Sequence, residues 1–205
     1  MNHLSDVVII SGNPNEISET EQVLKYLGLL LIEEGFSVKH ISVKDIPPET
    51  LFNTDSQNPL IQQMKQSIHS SHGIIIGSPV LQGSFSGVLK AYIDLLPPNI
   101  FEQKPVLPIM TGESLDYHFI LEYSFKPLLA NLKGLCMKGA YILNNHIDKF
   151  KENPIIDRET SQIIKKQLSH FTSILPSRSS NVIYMNDVKL KGHETFLSKS
   201  RKPIN

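Results

Sequence analysis

Five short segments rich in apolar residues alternate along the chain with longer segments whose apolar positions recur at helical spacing. The strand-like segments are 7–10, 36–43, 74–76, 105–111 and 138–143. The first and third are unbroken apolar runs, typical of strands buried on both faces, whereas the second alternates imperfectly and suits a place nearer a sheet edge. Strands that alternate with helices predict a parallel, doubly wound α/β sheet, because each parallel crossover is right-handed and needs a helix.

Five helices are predicted from apolar stripes and from their end signals. A hydroxyl cap, at Ser18 or Thr20, begins the first helix, and Gly35 ends it. Pro127 predicts a kink or a restart in the fourth helix, since proline removes a backbone donor. The second to fifth helices span 59–71, 88–96, 115–132 and 154–175.

A single domain accounts for most of the chain, whose 205 residues can bury a substantial core. We expect this domain to span residues 1–175, because the strand and helix patterns fade after Pro176. Residues 182–185 are a candidate short strand, and residues 189–205 are polar and partly basic. The segment 176–205 is therefore predicted to be a C-terminal tail, extended, partly disordered or docked on a partner.

Composition and charge argue against several classes of binding partner. The formal net charge is zero, which removes the usual electrostatic signature of a nucleic-acid binder. No apolar run approaches the length of about 20 residues that a membrane span needs, and no signal peptide is expected before the first strand. The single cysteine, Cys136, is expected to be a buried structural thiol, and no Cys/His cluster has metal-ligand spacing. We therefore expect a cytoplasmic protein without a metal, a membrane or a nucleic acid as partner.

Three loops follow predicted strands, at 11–20, 78–87 and 111–114. Open parallel sheets bind ligands outside the carboxyl ends of their strands, so these loops are the candidate site. The first loop is rich in hydroxyl and amide side chains and contains neither GxGxxG nor GxxxxGK[ST]. Together with the free N–H groups of a helix start, it suits a single phosphate, but taken alone the loop favours the simpler interpretation of Ser18 and Thr20 as helix caps.

The second loop has features that suit a flat heterocycle. Pro79 fixes its shape, and Gly83 and Gly87 permit close approach of a ligand to the backbone. Its N–H and C=O groups can face the edge of a ring such as a flavin. The alternative is an ordinary connecting loop.

Three motifs resemble the NADPH-dependent FMN reductase family. Residues 78–90 read SPVLQGSFSGVLK, similar to the family pattern [ST]-P-V-Y-x-[GA]-[ST]-[YF]-[ST]-G-x-L-K. Residues 104–112 (KPVLPIMTG) resemble its fourth strand and T-G-G loop, and residues 122–129 (EYSFKPLL) resemble its D-Y-A-L-[RK]-P-[VL]-L segment. The similarity spans residues 6–175 and is nearest to the reductases that supply reduced FMN to alkanesulfonate monooxygenases.

The resemblance implies a flavodoxin-like three-layer sandwich with a five-stranded parallel sheet in the order 2-1-3-4-5. It also implies which residues bind FMN. The phosphate would lie on Ser11, Asn13, Ser18 and Thr20. The ring would lie against Pro79, Val80, Leu81, Gln82, Gly83 and Ser84, with Thr111, Gly112 and Glu113 beside it.

Three positions depart from the family pattern. Glu19 stands where many members have a phosphate-facing arginine. An anion about 4 Å from the phosphate would weaken FMN binding by up to several kcal/mol at intermediate dielectric. Leu81 replaces a common tyrosine but keeps an apolar platform for the ring, and Glu113 replaces the second glycine of T-G-G.

The activity implied by the resemblance is hydride transfer from NADPH or NADH to FMN, with a flavin-dependent monooxygenase as the acceptor of reduced FMN. Alternatives are a reductase that keeps FMN bound and reduces quinones, azo dyes or metal oxyanions such as chromate, a flavodoxin-like electron carrier, and a flavin-free binding module. The resemblance further implies a homodimer or homotetramer, with a π-bulge at Tyr117 and His118 beside the subunit interface. His118 is equally explained as an ordinary surface histidine.

Overall fold

A sheet of mostly parallel strands, covered by helices on both faces, organises the part of the chain that the computed structural model describes, residues 5–15 and 17–176. The order across the sheet is β2-β1-β3-β5-β6, with β7 also paired to β5 and β4 antiparallel to β3. The strands are β1 (Val7–Ser11), β2 (Val38–Ser42), β3 (Gly73–Leu81), β4 (Ser84–Phe85), β5 (Pro105–Gly112), β6 (Leu135–Cys136) and β7 (Ala140–Leu143). Since β6 and β7 share one place in the sheet, the predicted parallel order 2-1-3-4-5 is confirmed.

The helices form two layers. Helices α1 and α6 pack on one face of the sheet, and α3, α4 and α5 pack on the other. Among the described residues, no helix combines the length and apolarity that a membrane crossing requires. The helices are α1 (Glu19–Glu33), α2 (Pro48–Phe52), α3 (Pro59–Ser70), α4 (Gly87–Ile93), α5 (Lys126–Asn131) and α6 (Arg158–Ser173).

Each face of the sheet has its own apolar core. The strand segments that contribute to both cores are fully buried, which explains why their sequences show no alternation. The face under α1 and α6 is filled mainly by Ile9, Leu24, Leu27, Ile75, Leu107, Ile164 and Phe171. The opposite face is filled mainly by Ile10, Ile76, Leu89, Tyr92, Phe101, Met110 and Phe125.

Helix α1 begins where the sequence predicts. Of the two predicted caps, Ser18 is the one used: its Oγ accepts a hydrogen bond from Glu21 N at 3.1 Å. Glu19 and Glu21 lie in the first turn, where negative charge interacts favourably with the helix dipole. Glu34 is the C-cap, and Gly35 follows it with a positive φ of 84°, so the predicted end is also correct.

The third strand is longer than predicted. The sequence indicates a strand over 74–76 followed by a loop, but β3 continues to Leu81. Its extension pairs with β5, from Gly77 opposite Ile109 to Pro79 opposite Thr111, and then turns back as a hairpin with β4. The second predicted loop is therefore part of the sheet, because β5 supplies a partner at those positions.

The fifth strand, predicted over 138–143, is divided into β6 and β7. Val106 pairs with Cys136 and Ile109 pairs with Ala140, so three residues on this strand face two on β5. One extra residue in a strand makes a bulge, which interrupts the ladder. Cys136 is half-buried rather than buried, and its Sγ lies 3.6 Å from Lys126 O.

The segment 115–132, predicted as a single helix, contains three different kinds of helical structure. A 3-10 turn covers Leu115–Tyr117, a π-helix covers Leu121–Phe125, and α5 follows. The proline expected to kink or restart the helix, Pro127, lies in the first turn of α5. Its ring would clash with the carbonyl four residues earlier, which is inside the π-helix, so a wider turn there relieves the conflict. The π-bulge predicted for this helix is present, but it lies at Leu121–Phe125, after the candidate residues Tyr117 and His118.

Two other boundaries differ from the predictions. The last helix begins at Arg158, capped by Asp157, and not at residue 154. The long connection after β2 contains α2, which the sequence pattern does not predict. The predicted C-terminal tail, with its candidate strand at 182–185, lies outside the described residues beyond Pro176.

Candidate active site

The three predicted loops meet at the carboxyl ends of β1, β3 and β5. Gly12 N donates a hydrogen bond to Gly77 O at 2.8 Å, which joins the first loop to β3. Thr20 Oγ1 and Thr111 Oγ1 share a hydrogen bond of 2.6 Å, and both side chains are buried. This bond ties the start of α1 to the end of β5, across 91 residues of sequence. The strand order thus places the three loops at one edge of the sheet.

The first loop keeps several polar groups available for a ligand. Asn13 Oδ1 accepts from Asn15 N at 2.7 Å, which leaves the amide protons of Asn13 free to donate. Ser18 accepts the helix-cap bond and retains its own proton. The N–H groups of Glu19 and Thr20 begin α1 and have no acceptor inside the helix.

Ser11 carries the one buried side-chain oxygen of this loop that lacks a hydrogen bond among the described residues. Its side chain is fully buried, and its Oγ has no hydrogen bond to any described residue. A buried hydroxyl without a partner costs about 1–3 kcal/mol. A bound polar group or water would remove that cost.

The second loop is a tight hairpin. Ser78 Oγ accepts from Ser86 N at 2.8 Å and donates to Pro79 O at 2.9 Å, which closes its base. Gln82 and Gly83 form its tip with φ of 48° and 72°, as a two-residue type I′ turn requires. A Cβ added to Gly83 would meet no atom within 4 Å, so the space beside the tip is open. Leu81, Gln82 and Gly83 are exposed, and Pro79, Val80 and Ser84 are half-buried.

The third loop is held by Tyr141, a residue of β7 that the sequence patterns do not single out. Its hydroxyl donates to Ser114 O at 2.6 Å. A Cβ at Gly112 would overlap this hydroxyl, so glycine is required there by close approach. Burial raises the pKa of Tyr141, and Tyr117 and Asp116 raise it further, which keeps the phenol protonated as a donor. Tyr141 therefore fixes the path of residues 112–114.

Three further predicted residues lie in the third loop or shortly after it. The side chains of Glu113, Tyr117 and His118 are exposed, and the His118 ring stands edge-on to Tyr141 with centroids 6.3 Å apart. Among the described residues, none of these three side chains forms a hydrogen bond or an ion pair with the first loop.

Two charged clusters flank the start of α1, and neither is predicted from the sequence. On one side Lys149 Nζ lies 3.1 Å from Glu19 Oε1. On the other side the buried Glu21 lies 3.5 Å from Lys25 and 3.9 Å from His40 on β2. Burial lowers the pKa of His40, and the Glu21 carboxylate opposes that shift. No motif could identify the pair of Lys149 and Glu19, because the two residues are 130 positions apart in the sequence.

A cleft elsewhere in the structure is separate from this edge of the sheet. A cleft of 430 Å³ lies at the amino ends of the strands, lined by residues such as His69, Pro97 and Lys104, and contains none of the predicted site residues. Lys104 is used there to bind the carbonyls of His69 and Ser71, which end α3. Within residues 5–15 and 17–176, no group of three or more His, Cys, Asp or Glu side chains is arranged to hold a metal ion.

Comparison with known proteins finds a matching family and similar proteins. A model described as NADPH-dependent FMN reductase matches residues 5–148. An FMN reductase (NADPH) of Pseudomonas putida is 36% identical over 128 residues, which are 62% of this chain and 65% of that protein. An FMN reductase (NADPH) of Escherichia coli is 25% identical over 177 residues, covering 86% of this chain and 93% of that protein.

Solved structures confirm the fold. The apo form of the NADH:FMN oxidoreductase EMOB has a TM-score of 0.76 at 24% identity, covering 87% of this chain and 94% of that one. Oxidised Flavodoxin 2 of Bacillus cereus has a TM-score of 0.58 at 15% identity, covering 82% of this chain and 99% of that one. The prediction of a flavodoxin-like fold is therefore correct.

Proposed function

Because this chain belongs to the NADPH-dependent FMN reductase family, we propose that it transfers a hydride from NADPH or NADH to FMN bound at the carboxyl edge of the sheet. The observation that carries the proposal is the meeting of the three loops, fixed by the Thr20–Thr111 hydrogen bond. When bound, FMN supplies the redox chemistry, accepting at N5 the hydride that leaves C4 of the nicotinamide. The protein has to bind, orient and shield the reactants.

The first loop fits the phosphate of FMN. Ser11 Oγ is buried without a partner, which is what a site completed by a ligand would show. Asn13, Ser18 and Thr20 add donors around the start of α1, where free N–H groups and the helix dipole favour an anion. We assign these four side chains to phosphate binding.

The hairpin and the third loop fit the ring. The open space beside Gly83 leaves room for a planar group against Pro79–Ser84, and the exposed Leu81 offers an apolar surface. The backbone of Thr111 and Gly112 lies next to Pro79 through the β3–β5 pairing. Tyr141 holds this backbone in place from behind. We assign Pro79, Val80, Leu81, Gln82, Gly83, Ser84, Thr111, Gly112 and Glu113 to the ring site.

We further propose that FMN is exchanged as a substrate and leaves reduced, to serve a separate flavin-dependent monooxygenase in the cytoplasm. The supporting feature is the exposure of the hairpin tip, which no other described segment covers. The alternative is FMN that stays bound while electrons pass to a quinone, azo dye or metal oxyanion. Yellow protein after purification, with turnover that does not depend on added FMN, would favour the alternative.

Three exposed apolar side chains before α5 support the proposal of a homodimer or homotetramer. Leu115, Phe119 and Tyr123 recur every four residues before α5 and are 67%, 53% and 81% exposed. Large exposed apolar side chains that recur along one segment are typical of protein interfaces. Phe119→Asp should lower the mass measured by light scattering, whereas Leu29→Asp, at an equally exposed leucine of α1, should leave it unchanged.

One experiment tests the ligand, the reaction and the cosubstrate. The protein is titrated with FMN, FAD and riboflavin by absorbance, and NADPH and NADH consumption is then followed with each flavin. We expect FMN to bind most tightly and nicotinamide oxidation to require a flavin. Absence of any flavin binding, or of nicotinamide oxidation with every flavin, would refute the proposed function.

A further inference from the structure

The loop after β7 brings a lysine to the first turn of α1. Lys149 Nζ lies 3.1 Å from Glu19 Oε1, and both side chains are about one-third exposed, at 32% and 29%. Glu19 is the first residue of α1 and directly follows the capping residue Ser18. The ammonium group is therefore held by the side chain of the first residue of α1, the helix to whose start the FMN phosphate is assigned above.

We propose that Lys149 is the cation that binds the FMN phosphate and that Glu19 positions it there. The inference rests on the proposed function and adds to it a binding residue from a different part of the chain. Alone, a carboxylate at the helix start would repel a phosphate dianion. Paired with Lys149 it forms a neutral pair, and the ammonium group retains two further protons that can be donated to phosphate oxygens.

The surrounding charges support this assignment of roles. Glu21, the other acidic residue of the first turn, is turned toward Lys25 and His40 on the β2 side. Lys151, in the same loop as Lys149, pairs with Asp148 at 3.4 Å within that loop. Of the two lysines in this loop, Lys149 is the one that forms an ion pair with α1.

The buried hydroxyl under the helix start is a second sign of a ligand. Ser11 lies at the end of β1, is fully buried, and leaves its Oγ without a partner among the described residues. We infer that an anion at the start of α1 would bind to this hydroxyl, which belongs to β1, and to Lys149, which belongs to the loop after β7. Free helix N–H groups would complete the set of donors.

The test compares FMN with riboflavin, which has the same ring and lacks the phosphate. Lys149→Met should raise the Kd for FMN by about tenfold or more, as expected for losing a charge-assisted hydrogen bond. The Kd for riboflavin should change by less than about twofold, because the ring site is intact. Lys149→Arg keeps the charge and should retain most of the preference for FMN. Unchanged riboflavin binding also shows that each variant is folded.

Two controls separate phosphate binding from simple charge balance. Lys151→Met removes the same charge from the same loop and should leave both Kd values unchanged. The second control repeats Lys149→Met in a Glu19→Gln background, where no carboxylate has to be neutralised but an amide oxygen can still accept a hydrogen bond from Lys149 and keep it in position. FMN binding should still weaken there. If the effect of Lys149→Met disappears in that background, Lys149 only cancels the charge of Glu19, and the proposal is wrong.

The outcomes distinguish this inference from the proposed function. Binding of both flavins, with a preference for FMN that Lys149→Met does not change, would overturn the inference and leave the proposed function intact. Absence of binding for FMN and riboflavin alike would overturn both.

Discussion

The hydrogen bond between Thr20 and Thr111 makes the sharpest prediction about stability. The two hydroxyl oxygens are 2.6 Å apart and both side chains are buried. Thr111→Val removes one hydroxyl and leaves the other without a partner. The lost bond costs about 1 kcal/mol, and the unpaired buried hydroxyl brings the total to about 1–3 kcal/mol.

The added methyl group offsets part of this loss. Burying one methyl group contributes about 0.8 kcal/mol. We therefore expect Thr111→Val to lower the free energy of unfolding by about 1–2 kcal/mol, and Thr20→Val to lower it by a similar amount. For a domain of this size the change corresponds to a fall in Tm of about 3–6 °C. In the double variant two methyl groups meet and no hydroxyl is stranded, so it should be less destabilised than the sum of the single variants.

Urea unfolding of the four proteins measures the coupling. We expect a coupling free energy of about 1–2 kcal/mol between positions 20 and 111, with the slope against urea unchanged. Thr50 provides the control, because its Oγ1 accepts from Asn58 Nδ2 and it lies in α2, away from Thr20. Thr20→Val and Thr50→Val should be additive. Additivity of the variants at positions 20 and 111 as well, to within about 0.5 kcal/mol, would refute the interpretation of this bond.

Three further predictions follow from single contacts. Gly112→Ala should displace the third loop and weaken FMN binding, and adding Tyr141→Phe should recover part of the loss, as measured by flavin titration. Because burial holds the pKa of His40 below its ordinary value of 6.5, the unfolded state takes up its proton first as the pH falls. The free energy of unfolding should therefore decrease below pH 6.5, and His40→Gln should flatten that decrease in urea unfolding. Ser18→Ala removes the cap of α1 and should cost about 1 kcal/mol in urea unfolding, whereas Ser18→Gly should cost only a few tenths.

The features predictable from sequence are those set by local pattern. Unbroken apolar runs identify the buried strands, and the hydroxyl followed by an apolar stripe locates the start of α1. The predicted strand boundaries are wrong where pairing with a strand distant in the sequence determines how far a strand extends. Nothing within residues 77–81 shows that β5 extends far enough to pair with them, so the hairpin base is assigned to a loop. The bulge between β6 and β7 likewise depends on register against β5.

In the candidate site too, local sequence patterns predict some features, and others depend on contacts between distant elements. Motif positions identify residues that belong to three loops, and the strand order brings those loops to one edge. The residues missed are those that hold a loop from another element. Tyr141 supports the third loop from β7, and its position within a short apolar strand gives no sign of that role.

The first turn of α1 shows why contacts of this kind cannot be predicted from the order of residues in the sequence. With 3.6 residues per turn, successive side chains point about 100° apart, so three neighbouring residues face three different parts of the sheet edge. Glu19 faces the loop after β7, Thr20 faces the end of β5, and Glu21 faces β2. Their partners are Lys149, Thr111 and His40. A sequence comparison treats Glu19 as the loss of a cation, whereas in the fold Lys149 forms an ion pair with Glu19, and we propose that it supplies the cation for the phosphate. On this proposal, the charge that meets a phosphate at the start of α1 is set by residues from two distant parts of the chain and not by position 19 alone.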